Sequence, residues 1–346
     1  MRPRVSRPSL LGAVLVACQP AIPEPIWEGE YLHYGTTTDA PVCRGSFVLQ
    51  ERHAVELARM MGFELPDIIR FTRIKSRQIR KYCGRRARGC AWDEEPYAFM
   101  AESSYNFHEI THVVANLGGL SGPTAFNEGL AEVFQDSSAS INAGTPLAQV
   151  LHGDVDDVMD YHTAGRFVRF LIERHDLALF VEFMRSTWRT AEFDEFAPIF
   201  AEVFGEPIEA AMADFADYPN CSSGSNRMAL LECNLPPQPW DGATLTLGAD
   251  VSCERDDVLG PDKIGLMRTS RAFEIAEAGS YRLSAPASTE WFFLRVAKCG
   301  SCWDSFELPM VPGMSEAHEL TPGRYYVEFG RRVDEPTELS LQIEQL

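Results

Sequence analysis

His108 and His112 stand four residues apart in His108-Glu109-Ile110-Thr111-His112. On an α-helix that spacing separates two side chains by about 40° around the axis. Both imidazoles then project from one face and can hold one metal ion, with Glu109 beside them. The segment carries the marks of such a helix. Ser103 or Ser104 is the expected cap, Phe107, Ile110, Val114 and Leu117 the expected buried stripe, and Gly118-Gly119 the stop. Metal face and core face are therefore separate, and a third ligand is required.

Fifteen residues after His112 comes Asn127-Glu128-Gly129-Leu130-Ala131-Glu132. Its spacing predicts a second helix with Leu130, Val133 and Phe134 toward the core and Glu128 and Glu132 on the other face. The pair of motifs, HExxH and then NExxxE on the next helix, resembles the gluzincin metallopeptidases, the thermolysin and zinc-aminopeptidase group. That resemblance implies Zn2+ as cofactor and Glu128 as its third ligand. It also implies that Glu132 accepts the other imidazole N–H of His108 and fixes its orientation. The chemistry of the residues agrees: two neutral imidazoles and a carboxylate leave a fourth tetrahedral position for water, as a catalytic zinc site requires. Glu109, in reach but not a ligand, is the expected general base that takes the water's proton and passes it to the leaving amine.

An oxyanion also needs a donor. Tyr161, in Tyr161-His162-Thr163-Ala164-Gly165, is the candidate, because peptidases of this kind carry a similar Tyr-x-x-Ala-Gly segment downstream of the glutamate. A core tyrosine is the competing reading, and His162 is a second candidate donor. Asp154, Asp156, Asp157 and Asp160 precede this segment; they lack the spacing of a calcium loop and read as helix caps.

Arg2, Arg4 and Arg7 followed by the apolar run Leu10 to Ala17 have the order of an export signal, in a run too short to span a bilayer. Leu15-Val16-Ala17-Cys18 resembles the bacterial lipobox, which implies cleavage before Cys18 and a lipid anchor on it. An ordinary signal peptide followed by a chance cysteine is the alternative, and export follows from both. Removing residues 1–17 takes away three of 31 basic residues and no acidic one, leaving 28 against 50, a formal charge of −22. Such a surface repels nucleic acid. Eight cysteines remain after Cys18, an even number suited to disulfides in an oxidising compartment. Cys83 with Cys90 and Cys221 with Cys233 are plausible local loops, and two cysteines of the C-terminal part are expected to tie its strands together. Cys299-Gly-Ser-Cys302 also has redox or metal spacing, but no strand-then-helix context surrounds it, so structural bridging is expected.

Proline-rich residues 18–28 read as a tether. Leu32 to Thr37 and Ile68 to Ile74 read as strands around a helical segment from Ser46 to Met61, and residues 103–216 read as helical. Beyond Pro236 short alternating runs such as Tyr325-Tyr326-Val327-Glu328-Phe329 argue for strands, and they resemble the small β-sandwich at the C-terminal end of many secreted bacterial peptidases. The expected fold is α+β: a zincin-like domain over residues 29–235, with a small mixed sheet and a helical subdomain, then an antiparallel β-sandwich over 236–346. The expected activity is hydrolysis of peptide bonds in an extracytoplasmic peptide or protein. A surface-binding or adhesion module with a vestigial zinc site is the alternative. One anomaly stands apart from both: eight basic residues and no acidic one lie between Arg73 and Arg88. Either they form a solvated face neutralised by the acidic surface, or they meet anionic headgroups or an acidic substrate.

Overall fold

A computed structural model describes residues 21–84, 87–135, 144–153, 160–221, 227–288, 290–332 and 337–346. The expected export signal and Cys18 lie outside the described residues, as do Asp154, Asp156 and Asp157. The chain is α+β. Its first sheet comprises β1 (Pro25–Glu28), β2 (Leu32–Thr36), β3 (Ile69–Ile74), β4 (Gly89–Ala91) and β5 (Tyr97–Ala101), in the order β1-β2-β3-β5-β4. β2, β3 and β5 are parallel, and β1 and β4 run antiparallel at the two edges. The parallel pair β2 and β3 needs a crossover, which α1 (Gly45–Met60) supplies. Residues 25–28, expected to belong to the tether, form β1 instead; Trp27 stacks on Phe47 of α1 and gives that stretch an apolar anchor.

The helical part follows a short α2 (Arg80–Cys83) and begins after β5. It runs through α3 (Phe107–Leu117), α4 (Thr124–Phe134), α5 (Leu147–His152), α6 (Tyr161–His175), α7 (Leu177–Ser186), α8 (Phe193–Phe204), α9 (Ile208–Phe215) and α10 (Leu230–Cys233). Phe126, Phe167, Phe183 and Phe196 fill the space between α4, α6, α7 and α8 and join the first sheet's core through Ile110 and Val114. Among the described residues no helix is long and apolar enough to cross a membrane.

The remaining strands form two antiparallel sheets: β10 (Glu307–Met310), β9 (Phe292–Lys298), β12 (Gly323–Arg332) and β7 (Leu266–Ile275), and β11 (Ser315–Leu320), β8 (Gly279–Ser284), β13 (Thr337–Gln345) and β6 (Thr244–Val251). Alternate residues of both, among them Leu247, Phe273, Leu283, Leu294, Val327 and Ile343, meet in one core.

This second core is joined to the first part by hydrogen bonds and by three disulfides. Ser104 donates to the Pro261 carbonyl at 2.8 Å, the Gly260 N–H donates to Ser46 Oγ at 2.9 Å, and Cys43 N–H donates to the Gly260 carbonyl at 2.8 Å. Cys83 pairs with Cys90 as the spacing suggests. The expected Cys221–Cys233 loop does not form, and no bridge lies within the C-terminal strands. Cys43 pairs with Cys253, Cys221 with Cys302 and Cys233 with Cys299. Both cysteines of Cys299-Gly-Ser-Cys302 thus reach back to segments of the helical part, which packing against β9 and β12 brings beside the turn. Four disulfides are consistent with an extracytoplasmic protein.

Glu328 on β12 is buried among Arg268 (3.0 Å), Arg295 (3.1 Å) and Arg227 (3.9 Å). Burial alone would raise its carboxyl pKa; the charges of Arg295, Arg268 and Arg227 outweigh that and bring it down to about 2. A carboxylate depressed in the folded state stabilises above its unfolded value and loses that contribution as the pH falls from about 4.5 to about 2, here on the order of 3 kcal/mol. Denaturant titrations across that window should show an acid-dependent loss that Glu328→Gln flattens. An unchanged pH slope in the variant would remove Glu328 from the account of acid stability.

Candidate metal centre

α3 starts two or three residues later than the sequence implies. Ser103 and Ser104 are not its cap, because their hydroxyls donate to the Tyr105 and Pro261 carbonyls; Asn106 is the cap, its Oδ1 accepting the Glu109 N–H at 2.8 Å. Gln50 of α1 accepts the Asn106 N–H at 3.0 Å, so α1 fixes where α3 begins. α3 ends at Gly118, and Gly119 takes the positive φ of 69°.

α4 crosses α3 so that Glu128 meets both histidines. Glu128 Oε2 lies 3.2 Å from His108 Nε2 and 3.1 Å from His112 Nε2, and the two Nε2 atoms are 3.2 Å apart. Tetrahedral bonds of about 2.0–2.2 Å to one zinc separate ligand atoms by about 3.3–3.6 Å, so the donor triangle is close to the size that one such ion takes. Among the described residues this is the one group of three that could hold a metal. Two histidines and a carboxylate with open positions suit zinc and also Fe(II).

The electrostatics also favour a cation. Burial would lower the His108 pKa, but its hydrogen bond to Glu128 and the charges of Glu109, Glu128 and Glu132 raise it to about 9. Burial raises the Glu128 carboxyl, and the charge of His112 with the hydrogen bonds from both imidazoles overrides it, holding that carboxyl far below the usual range. Glu132 Oε1 lies 3.5 Å from His108 Nδ1, on the side of the ring away from Glu128, where it can orient that imidazole.

Glu109, in the first turn of α3, is buried, and burial pushes its carboxyl pKa up despite the charges of His108 and His112. It fits there because residue 89 is glycine: a Cβ on Gly89 would stand 2.6 Å from Glu109 Oε1. Gly89 is a site residue that the sequence reading misses, although a glycine within a strand is a known mark of close approach. His108, Glu109 and Glu132 line one cleft of about 840 Å3 with Gly89, Asn106 and Tyr161. Tyr161 opens α6, is 39% exposed, and its ring is 6.0 Å from that of His108. The core-tyrosine alternative therefore does not hold. His162 is buried and does not line the cleft. Asp160 caps α6 by accepting the Thr163 N–H at 3.1 Å.

The position of α4 depends on Gly129. A Cβ there would lie 2.5 Å from Val168 Cγ2 and 2.6 Å from the Ala164 carbonyl oxygen, so α4 and α6 touch through backbone.

No known protein family matches this chain, and no curated protein matches it either. Among solved structures, the pre-peptidase C-terminal domain of collagenase from Bacillus anthracis is similar at 10% identity, over 29% of this chain and 87% of that one, with a TM-score of 0.20. Peruvianin-I, a cysteine peptidase from Thevetia peruviana latex, matches at 10% identity over 33% and 69%, with a TM-score of 0.15. The CENP-C cupin domain of Drosophila melanogaster matches at 15% identity over 31% and 84%, with a TM-score of 0.15. At these scores none of the three likenesses says what this chain does.

Gly129→Ala should force α4 and α6 apart, destabilising the protein by about 1–3 kcal/mol and weakening Co2+ or Zn2+ binding because Glu128 moves with its helix. Thermal denaturation and metal titration check both effects. Wild-type affinity in a folded Gly129→Ala protein would separate Glu128 from the metal centre.

Proposed function

We propose that this chain is an exported zinc metallopeptidase of gluzincin type, lipid-anchored at Cys18, with a zincin-like domain followed by a β-sandwich. The observation that carries the reading is the convergence of His108, His112 and Glu128 within 3.2 Å, beside a buried carboxylate that is not part of the triangle. Zinc is favoured over Fe(II) by the oxidising compartment that four disulfides suit, since Zn2+ has no redox chemistry. His108, His112 and Glu128 would hold it, and when bound it supplies a Lewis acid that acidifies water and polarises a carbonyl.

Glu109 supplies the proton transfer. Its raised pKa suits a general base that takes a proton from the attacking water and returns it to the leaving amine. Tyr161, which lines the cleft with its ring 6.0 Å from that of His108, donates its phenolic hydrogen to the oxygen of the attacked carbonyl. Glu132 keeps the His108 ring oriented.

A peptide as substrate is supported by β4. Trp92 and Arg88 bond toward β5 through Trp92 N–H to Tyr97 O and Ala101 N–H to Arg88 O. In an antiparallel ladder the alternate residues, Gly89 and Ala91, then direct their N–H and C=O groups away from β5, along the free edge. Gly89 belongs to the cleft wall, so an extended peptide can pair with this edge.

Glu109→Gln should keep roughly stoichiometric zinc and lose peptide cleavage by about 100-fold or more, read by mass spectrometry of a digested denatured protein. Undiminished cleavage by the variant would overturn the assignment of Glu109.

A further inference from the structure

The basic run from Arg73 to Arg88 divides into two groups. Arg73 is buried, donating to the Glu102 and Pro41 carbonyls at 2.8 and 2.9 Å, and Lys75 faces Asp39 at 3.8 Å. Arg77, Arg80, Lys81 and Arg88 are exposed, and among the described residues none of them has an ion-pair partner. Four cations of one short segment of this acidic chain are thus without an ion-pair partner among the described residues.

Two of these cations lie beside the candidate site, Arg88 lining its cleft and Arg80 the hollow next to it. Arg80 and Arg88 line a hollow of about 240 Å3 with Ser76, Ile79, Ala87 and Ala101. Four of those six residues, Ser76, Ala87, Arg88 and Ala101, also line the cleft that holds His108 and Glu109, so hollow and cleft adjoin. The cleft is also lined by Lys263, exposed and without an ion pair among the described residues, next to Ile264, which is 59% exposed. Of the cleft's carboxylates, Glu109 and Glu132 belong to the metal centre and Asp262 is paired with Arg268 at 3.4 Å. Among the described residues lining cleft and hollow, Glu102 is the one carboxylate left to oppose Arg80, Arg88 and Lys263.

We infer that Arg80, Arg88 and Lys263 form a subsite selecting polypeptides that carry acidic side chains on the Arg88 side of the scissile bond. The inference names a substrate class for the peptidase reading and rests on it. Arg88 precedes Gly89, so a peptide paired along β4 passes directly over the hollow. Opposite charge in a half-enclosed site raises both encounter rate and residence, and salt weakens both. Docking of the same segment onto anionic lipid is less favoured, because Arg80 and Arg88 line a hollow beside the cleft, whereas a bilayer surface is flat.

The experiment uses the full chain and a fluorescent peptide of alternating alanine and glutamate, with its glutamine counterpart. Binding is followed by anisotropy and cleavage by mass spectrometry. The glutamate peptide should bind about tenfold more tightly, lose that advantage at high salt, and lose it in Arg80→Glu/Arg88→Glu. The salt series on wild-type protein reads the inference even where the double variant does not fold. Selective binding without cleavage supports the subsite and removes the peptidase reading. Cleavage of both peptides with equal binding overturns the subsite and leaves that reading standing. Equal peptide binding together with Arg80- and Arg88-dependent flotation on phosphatidylserine vesicles would overturn it in favour of a membrane contact.

Discussion

Three carboxylates, Glu109, Glu128 and Glu132, share a mostly buried place with two imidazoles, and such a cluster is tolerable only if positive charge is held among them. The raised pKa of His108 is one expression of that demand, and a divalent cation between its Nε2, His112 Nε2 and Glu128 Oε2 is another. Much of the local architecture serves to keep these groups together. Asn106 and Gln50 set the start of α3, Gly129 lets α4 lie against the backbone of α6, and Gly89 leaves room for the Glu109 carboxylate. At both glycines an added Cβ would collide, with the Glu109 carboxylate at Gly89 and with Val168 and the Ala164 carbonyl of α6 at Gly129.

The C-terminal strands are part of this arrangement. Gly260 and Pro261 bond to Ser46 and Ser104, which stand at the starts of α1 and of the segment leading into α3. Asp262, Lys263 and Arg268, which follow in the chain, line the cleft. Three disulfides fix the relation between the two cores at Cys43, Cys221 and Cys233. Separation of the strands from the helices would thus remove one wall of the cleft as well as a support of the metal helix.

The grouping of His108, His112 and Glu128 as a candidate metal triad is legible in the sequence because both motifs lie on single helices, where spacing alone determines which side chains share a face. The stripe Phe107, Ile110 and Val114 and the stop at Gly118-Gly119 follow from the same periodicity. What sequence could not supply came from contacts between distant segments. Ser103 and Ser104 look like caps until Pro261, more than 150 residues later, takes the Ser104 hydroxyl. Cys221 and Cys233 look like a local loop until packing brings the turn at residues 299–302 beside them. Residues 25–28 look like tether because β1 owes its pairing to β2 and its anchoring to Phe47, neither visible in four residues of sequence. The constraint on Gly89 is set by the side chain of a residue twenty positions away, which the local pattern of a short strand does not show.

The most direct test of the account is metal stoichiometry with X-ray absorption on purified wild-type protein and on Glu128→Ala. The account predicts about one zinc per chain, bound through two imidazoles and one carboxylate at about 2.0–2.2 Å, with the carboxylate lost and affinity sharply reduced in the variant. A folded wild-type protein that binds no divalent metal, or one whose zinc is unaffected by Glu128→Ala, would contradict it.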